Sequence, residues 1–273
     1  MAFSKDKRQQ EQSDKIQKTL EINQDLLERA IHIEQKEDQM LDTMQSLHYN
    51  SASVMAERYS RRSWSQHGED LLIWDLFRRK GMEKPTYLDI GANHPFMISN
   101  TAIFNVNGCR GINIDASPFN IENFNIYRPE DVNLCCGVGA ENGEMTFYMV
   151  DKWSGRNSFN KSAVEFFVKE NPQFSITETI EVPVRKLNDI LDEHWGGTIP
   201  DYVSIDIEGS EYDVLKDFDL KKYRPKVITI EINPDNDYLK EKLFELMDKS
   251  EFILYFVTGV NYTFVSKEFK ESS

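Results

Sequence analysis

Five short apolar segments constrain the fold of this chain more than any other feature of its sequence. Each is rich in branched residues and ends at or near a glycine or an acid; they read PTYLDIGA, RGINIDAS, VNLCCGVG, DYVSIDIEG and PKVITIEIN. Continuous apolar runs of this length are typical of strands buried on both faces of a parallel sheet. Helices are predicted between or after them, over residues 98–107, 118–127, 211–220 and 237–249, and Ser117 followed by Pro118 is a helix-start signal.

The last part of the chain predicts a different kind of strand pairing. The segments EFILYFVTG and VNYTFVSKEF alternate apolar and polar residues around Thr258-Gly259, which favours an antiparallel hairpin. An insert over 142–185 contains two predicted strands, EMTFYMV and TIEVPVR, around a polar loop. The sequence therefore predicts an α/β protein with a doubly wound sheet and an antiparallel closing hairpin.

Residues 1–60 have a different character from the predicted α/β domain of residues 61–273. No proline or glycine occurs from about residue 5 to 55, and apolar residues recur in steps of three and four at Ile16, Leu20, Leu27, Ala30, Leu41 and Met44. This pattern predicts a long N-terminal helix with a coiled-coil seam, although Asn23, Glu34 and Glu37 fall at inward positions, where a coiled coil rarely tolerates acids. Two interpretations remain open: an arm that forms a homo-oligomer or binds a partner, and a charged, frayed extension.

Charge and hydropathy exclude several classes of protein. The net charge of -14 and the pI near 4.9 argue against a broad surface for nucleic acid. No apolar run approaches the roughly 20 residues of a membrane span, and the charged N-terminus is unlike a signal peptide. We expect a cytoplasmic protein, in which the three cysteines form neither a disulfide framework nor a metal-ligand pattern and are expected to be buried, reduced thiols.

The ends of the five predicted strands supply the candidate site residues, because ligands of such sheets bind at the carboxyl ends of the strands. Four of the five ends carry an acid, and buried carboxylates need polar partners. The candidates are Asp89 with Gly91, Asp115, Gly137 with Val138, Asp206 with Glu208, and Glu231 with Asn233.

The first strand-end loop is poorly suited to a pyrophosphate. A dinucleotide loop needs three glycines, whereas this loop has only Gly91, followed by Asn93, His94 and Pro95. A ligand with an amino acid moiety and a ribose needs only one close backbone approach, and Asp115 is well placed to accept hydrogen bonds from ribose hydroxyls. S-adenosylmethionine fits this description.

Eight sequence blocks occur in an order that resembles the FkbM-type methyltransferase family. They are SQHGED (65–70), LDIGANHP (88–95), SNT (99–101), GINIDASP (111–118), RPEDVNL (128–134), NSF (157–159), YVSIDIEGSE (202–211) and KYRPKVITIEI (222–232). The resemblance implies a Rossmann-like class I methyltransferase sheet of seven strands, S-adenosylmethionine as methyl donor, and O-methylation of a hydroxyl on a sugar, a glycan or a secondary metabolite. The segment before residue 65 lies outside the resemblance.

The resemblance also implies a set of cofactor-binding residues. Gly91, Ala92 and Asn93 are expected along the methionine moiety, although the position of Asn93 more often holds histidine in the family. Asp115 is expected on the ribose, Ala116 and Val138 beside the adenine, and Asp89 and Asp206 near the methionine ammonium. Gln66 and Asn100 are further candidates, each of which could instead cap a helix.

Activation of the acceptor hydroxyl has two candidate routes. His94 is a candidate general base, since a neutral imidazole titrates near the operating pH, or it could serve only to anchor its loop. Alternatively Asp206, Glu208, Glu231 and Asn233 offer oxygen ligands for Mg²⁺. A metal-free reaction is favoured, because Asp206 and Glu208 have plausible cofactor and loop roles. In the insert, Trp153 and Arg156 are expected over the acceptor pocket.

A competing hypothesis makes the N-terminal helix the functional part. The chain would then be a coiled-coil interaction protein with a catalytically silent methyltransferase-like domain. The intact acids at the strand ends argue against this hypothesis. The sequence does not identify the acceptor or the hydroxyl that is methylated.

Overall fold

The five apolar segments lie in one seven-stranded sheet in the computed structural model. Along the chain, the helices and strands from Glu69 onward are α1 (Glu69–Arg79), β1 (Tyr87–Ile90), α2 (Ala102–Val106), β2 (Gly111–Asp115), α3 (Pro118–Tyr127), β3 (Val132–Cys135), β4 (Gly137–Val138), β5 (Gly143–Met149), α4 (Lys161–Glu170), β6 (Glu178–Arg185), α5 (Leu187–Trp195), β7 (Tyr202–Ile205), α6 (Glu211–Asp217), β8 (Val227–Glu231), α7 (Asp237–Lys249), β9 (Phe252–Thr258), β10 (Asn261–Ser266) and α8 (Lys267–Glu271). The sheet has the strand order β3-β2-β1-β7-β8-β10-β9. Strands β3, β2, β1, β7 and β8 run parallel, and β10 is antiparallel to β8 and β9. This topology confirms the predicted doubly wound α/β sheet with its closing hairpin.

The structure describes Lys36 and residues 62–151, 155–195, 200–207, 209–233 and 236–272. Residues 63–273 belong to one compact unit. The seam of the predicted N-terminal helix, the proposed domain 1–60 apart from Lys36, Trp153 and Glu208 lie outside the described residues. None of the helices within the described ranges is long and apolar enough to cross a membrane.

Strands β1, β2, β7 and β8 are buried on both faces, which explains their mainly apolar sequences. Strand β3 lies at the edge of the sheet and is partly exposed, so the prediction that it is buried on both faces is wrong. On one face, Ile90, Ile114 and Ile205 pack in a large cluster with residues of α5, α6 and α7. On the other face, Tyr87 and Tyr202 pack with residues of α1, α2 and α8. Each fully buried Leu, Ile or Phe contributes about 1.5–3 kcal/mol relative to an exposed one, so the two layers fix the register of the strands and therefore the positions of their ends.

The insert builds a second, three-stranded sheet with the order β4-β6-β5. The apolar segment VNLCCGVG serves both sheets, because it divides into β3 and β4 at Cys136, whose backbone N–H donates to the carbonyl of Asp115 at 3.1 Å. Between the two predicted strands of the insert, where the sequence indicates a polar loop, the structure contains helix α4. Its signal was local: Asn160 accepts a hydrogen bond from the N–H of Ala163 at 3.1 Å and so caps the helix.

Two predicted helices are shorter than expected. The helix expected over 98–107 begins only at Ala102, because Ile98 has a left-handed φ of 51°. The helix expected over 211–220 ends at Asp217, since Phe218 has an extended ψ of 122°. The expected start at Ser117 and Pro118 is confirmed, with the Ser117 side chain accepting from the N–H of Asn120.

Candidate functional site

A cleft opens at the carboxyl ends of β1, β2 and β7. It contains about 850 Å³ of space not occupied by atoms, including open solvent at its mouth. Polar residues form one part of its lining: Asn93, Asp115, Ser117, Asn120, Asp206 and Ser210. Apolar residues form another part: Ala116, Val138, Phe147 and Phe159.

At Gly91, directly after β1, the backbone lies against the backbone of Asp206, directly after β7. The φ of Gly91 is 77°, and a Cβ atom placed there would lie 1.7 Å from the backbone oxygen of Asp206. The N–H of Gly91 donates to Ile114 at 2.9 Å, and the N–H of Asp206 donates to Ile90 at 2.9 Å. No side chain fits in this space, so glycine is required where the ends of β1, β2 and β7 meet.

Asp115, the last residue of β2, lies in the cleft with three hydrogen-bond donors around its carboxylate. Its Oδ1 accepts from the Ser117 N–H at 2.8 Å and from Asn120 Nδ2 at 3.1 Å, whereas its Oδ2 accepts from the Asn93 N–H at 2.8 Å. Burial raises the pKa of Asp115, and these donors oppose the rise. Because Oδ2 has one of these bonds and Oδ1 has two, Oδ2 retains the greater capacity to accept a ligand hydroxyl.

Asp89, in contrast, is buried beneath the cleft. Its Oδ2 accepts from the hydroxyl of Thr101 at 2.6 Å, and burial raises its pKa. The fully buried Arg128 donates to the same Thr101 hydroxyl at 2.9 Å, to Ser99 at 3.1 Å and to the carbonyl of Pro95. Asp89 and Arg128 therefore fix the loop between β1 and α2.

Two further predicted cofactor residues also contact this part of the structure. Ala92 is buried and its N–H donates to Ile114 at 3.0 Å. Asn100 donates from Nδ2 to the hydroxyl of Ser204 at 3.2 Å.

His94 accepts two backbone hydrogen bonds at one ring nitrogen. The N–H groups of Phe96 and Met97 donate to its Nδ1 at 3.0 and 2.9 Å. Burial lowers the pKa of His94, and Arg128 lowers it further. The neutral ring with an acceptor at Nδ1 carries its hydrogen on Nε2. This histidine could accept a proton at Nδ1 only after releasing backbone donors.

The carboxylates after β7 and β8 lie on neighbouring strand ends. Asp206 lines the cleft directly after β7, and Glu231 ends β8, which pairs with β7. The buried Glu211 accepts at Oε1 from the N–H groups of Ile207 at 3.2 Å and Gly209 at 2.9 Å, and so holds the loop after β7. Burial raises the pKa of Glu211, and Glu231 contributes to the rise. Within the described ranges, no three His, Cys, Asp or Glu side chains are grouped closely enough to hold a metal ion.

Gln66 lies at the surface in the segment that precedes α1. Its neighbour Glu69 is buried and accepts from Asn261 Nδ2 at 2.9 Å and from the His67 N–H at 3.0 Å. The SQHGED segment is therefore attached to the hairpin at the carboxyl edge of the sheet.

Several cleft residues were not predicted from the sequence as site residues. Ser117 and Asn120 come from the first turn of α3, and Asn157, Ser158 and Phe159 come from the insert. The residues from the insert form the block NSF (157–159), which is one of the eight blocks of the family resemblance. Their side-chain chemistry alone does not indicate a role in the site.

The strand order, the antiparallel β10 and the cleft at the carboxyl ends define a class I methyltransferase fold. The model of the methyltransferase FkbM domain matches residues 89–262, which is more than half of the chain. The chain belongs to the FkbM methyltransferase family.

Two solved structures match part of this chain. One is methyltransferase FkbM from Methylobacillus flagellatus KT, with 17% identity, a TM-score of 0.43, and coverage of 67% of this chain and 44% of that chain. The other is precorrin-6y C5,15-methyltransferase from Geobacter metallireducens GS-15, with 13% identity, a TM-score of 0.36, and coverage of 76% and 90%. The chain thus spans less than half of the first of these structures. None of the curated proteins compared with the chain matches it.

Proposed function

We propose that this protein is an S-adenosylmethionine-dependent O-methyltransferase whose acceptor is a hydroxyl of a sugar, a glycan or a secondary metabolite. The observation that carries the cofactor assignment is the combination of one close backbone approach at Gly91, the carboxylate of Asp115 and an apolar end to the same cleft. An amino acid moiety, a ribose and a base need these three environments. The family supports methyl transfer, and the acceptor class rests on the sequence resemblance.

The residues present fit this cofactor. Gly91 and Asn93 would lie along its methionine moiety, Asp115 would accept from a ribose hydroxyl at Oδ2, and Ala116 and Val138 would contact the base. Asp206 would offset the charge of the ammonium group. Asp89, Ala92, Asn100 and Gln66 act indirectly in this proposal, through the loops that they hold or adjoin.

The protein contributes mainly alignment and proton removal. Bound S-adenosylmethionine supplies an electrophilic methyl group on a sulfonium, and holding the acceptor oxygen in line with it supplies much of the acceleration. The hydroxyl must also lose its proton. Glu231 is a partly exposed carboxylate one strand from Asp206, whereas the acceptor nitrogen of His94 is occupied by two N–H donors. We therefore assign the base to Glu231 rather than to His94.

Binding of S-adenosylhomocysteine, measured by calorimetry, tests the cofactor assignment. Asp115→Ala should weaken binding by about 1.5–3 kcal/mol, or roughly 10- to 150-fold, because it removes a charged acceptor. Asp213→Ala is the matched control, since this carboxylate is exposed on α6 and pairs with Lys216. If the wild-type protein binds no S-adenosylhomocysteine, the proposal fails and the interaction-protein hypothesis is favoured.

Turnover on a panel of hydroxylated acceptors tests the base. Glu231→Gln should lower turnover roughly 10²- to 10⁴-fold, the usual effect of losing a positioned base, while cofactor binding stays unchanged. His94→Ala should have the smaller effect on the chemical step. The opposite ranking would return the role to His94. Loss of turnover in chelator with rescue by Mg²⁺ would instead favour the metal-dependent route through Asp206, Glu208, Glu231 and Asn233.

A further inference from the structure

Apolar residues associated with both sheets line one part of the cleft. Ala116 follows β2 of the main sheet, whereas Val138 ends β4 and Phe147 lies on β5 of the second sheet, and Phe159 follows β5 in the insert. Ala116 packs against the small core of the second sheet, which contains Phe147. The insert therefore forms one wall of the cleft.

Phe159 is held in place by backbone and ring contacts. Its neighbour Ser158 forms a two-way backbone bridge with Tyr148, with N···O distances of 3.0 and 3.1 Å. The rings of Phe159 and Phe147 lie 4.9 Å apart at an interplanar angle of 57°. Because both ends of this contact are tied to β5, the partly exposed ring of Phe159 has a defined position in the cleft.

Gly137 provides the space that this ring occupies. A Cβ atom at residue 137 would lie 2.7 Å from Cζ of Phe159, closer than side chains normally approach. The absence of a side chain at the start of β4 allows the ring to lie against the backbone. The glycine in VNLCCGVG thus has a role in shaping the cleft.

We propose that Phe159, supported by Phe147, is the aromatic wall that recognises the adenine ring of the cofactor. This inference rests on the proposed function. The two kinds of lining match the two parts of a nucleoside: the polar residues around Asp115 suit a polyhydroxylated ribose, and the aromatic cluster of Phe147 and Phe159 suits a flat base. Aromatic side chains bind bases through their faces, and a ring that is already ordered loses little conformational freedom on binding. Cofactor affinity therefore depends on the insert as well as on the main sheet.

The test is calorimetry with S-adenosylhomocysteine and with adenosine. Phe159→Ala should weaken binding of both probes by a similar factor of roughly 5- to 100-fold, the usual effect of removing a ring that stacks on a base. Phe159→Trp should retain most of the affinity, because it keeps an aromatic face. Phe166→Ala is the matched control, since this ring is 65% exposed on α4 of the same insert and does not line the cleft.

Phe159→Leu separates recognition from packing, because leucine retains apolar contact with Phe147 but has no aromatic face. It should also lose affinity, and it carries the test if Phe159→Ala does not fold. Wild-type affinity in Phe159→Leu would overturn the assignment of the wall while leaving the cofactor assignment intact. Absence of binding in the wild-type protein would overturn the proposed function itself, so the two failures are distinguishable.

Discussion

Replacing Gly91 by alanine should cost the protein both stability and cofactor binding. The new Cβ would lie 1.7 Å from the backbone oxygen of Asp206, half of the 3.4 Å at which ordinary contact begins. The neighbouring atoms are backbone, so they cannot rotate away. Relief of the clash requires β1 and β7 to separate at their carboxyl ends, where Asp206 donates to Ile90 at 2.9 Å.

The expected loss in the free energy of unfolding of Gly91→Ala has two parts. The left-handed φ of 77° costs a non-glycine residue about 1–2 kcal/mol. The clash adds the loss of buried hydrogen bonds at the strand ends, at about 0.5–1.5 kcal/mol each. We therefore expect Gly91→Ala to lower the free energy of unfolding by more than about 3 kcal/mol, and we expect the folded fraction to bind S-adenosylhomocysteine poorly.

Alanine variants of two other glycines, measured by urea unfolding, separate the cost of the left-handed φ from the cost of the clash. Gly68 has a φ of 86° but nothing within 4 Å of a Cβ, so Gly68→Ala should show the conformational cost alone. Gly143 has neither a positive φ nor a neighbour within 4 Å, so Gly143→Ala should change stability by less than about 1 kcal/mol. Equal losses in Gly91→Ala and Gly68→Ala would refute the steric argument.

Three further predictions concern titration, thiol reactivity and association. The raised pKa of Glu211 means that its contribution to stability is present below the unfolded pKa of about 4.3 and is lost as the pH rises through the folded pKa. Glu211→Gln should therefore gain stability relative to the wild type as the pH rises above that value, and an equal difference at pH 4 and pH 8 in urea unfolding would contradict this. Ellman's reagent at pH 8 should modify the exposed Cys135 first. The other two thiols, Cys109 and Cys136, are buried, and burial raises the pKa of both to about 11. Rapid modification of all three cysteines would be inconsistent with the fold. A chain that begins near Ser60 should have a lower mass by light scattering if residues 1–55 mediate self-association, and an unchanged mass would remove that role.

The main sheet could be predicted because its signal is local. Buried parallel strands must be apolar on both faces, so five continuous segments suffice to mark them, and their ends mark the cleft. The second sheet was harder, since β4 has only two residues and pairs with β6 far along the chain. The block NSF marked residues 157–159 only through the family resemblance, because the position of Phe159 in the cleft depends on contacts with Gly137 and Phe147 that are distant in sequence.

The chemistry of individual residues was less predictable than their positions. Asp89 and Asp115 both stand near strand ends, yet Asp115 is the last residue of β2, whereas Asp89 precedes the end of β1 and lies between Asn113 and Ser204 in register. Asp115 therefore lies two residues beyond the level of Asp89 on the same face of the sheet, and this difference separates a cleft carboxylate from a buried one. Similarly, the backbone donors at Nδ1 of His94 arise from the local turn and have no signature in composition.

The buried network in which Asp89 and Arg128 both bond to the Thr101 hydroxyl explains how a loop with a single glycine can form this site. Asn93 and Ile98 hold left-handed φ values of 52° and 51°, each of which costs on the order of 1–3 kcal/mol for a residue with a side chain. Such a loop persists only if the surrounding structure determines it, and Arg128 does so through Pro95 and through the Thr101 hydroxyl that it shares with Asp89. The Nε atom of Arg128 has no hydrogen-bond partner among the described residues. The network therefore fixes the loop conformation in which the Asn93 N–H donates to Asp115. Because Asp89 belongs to β1, the shape of the cleft depends on the folded sheet.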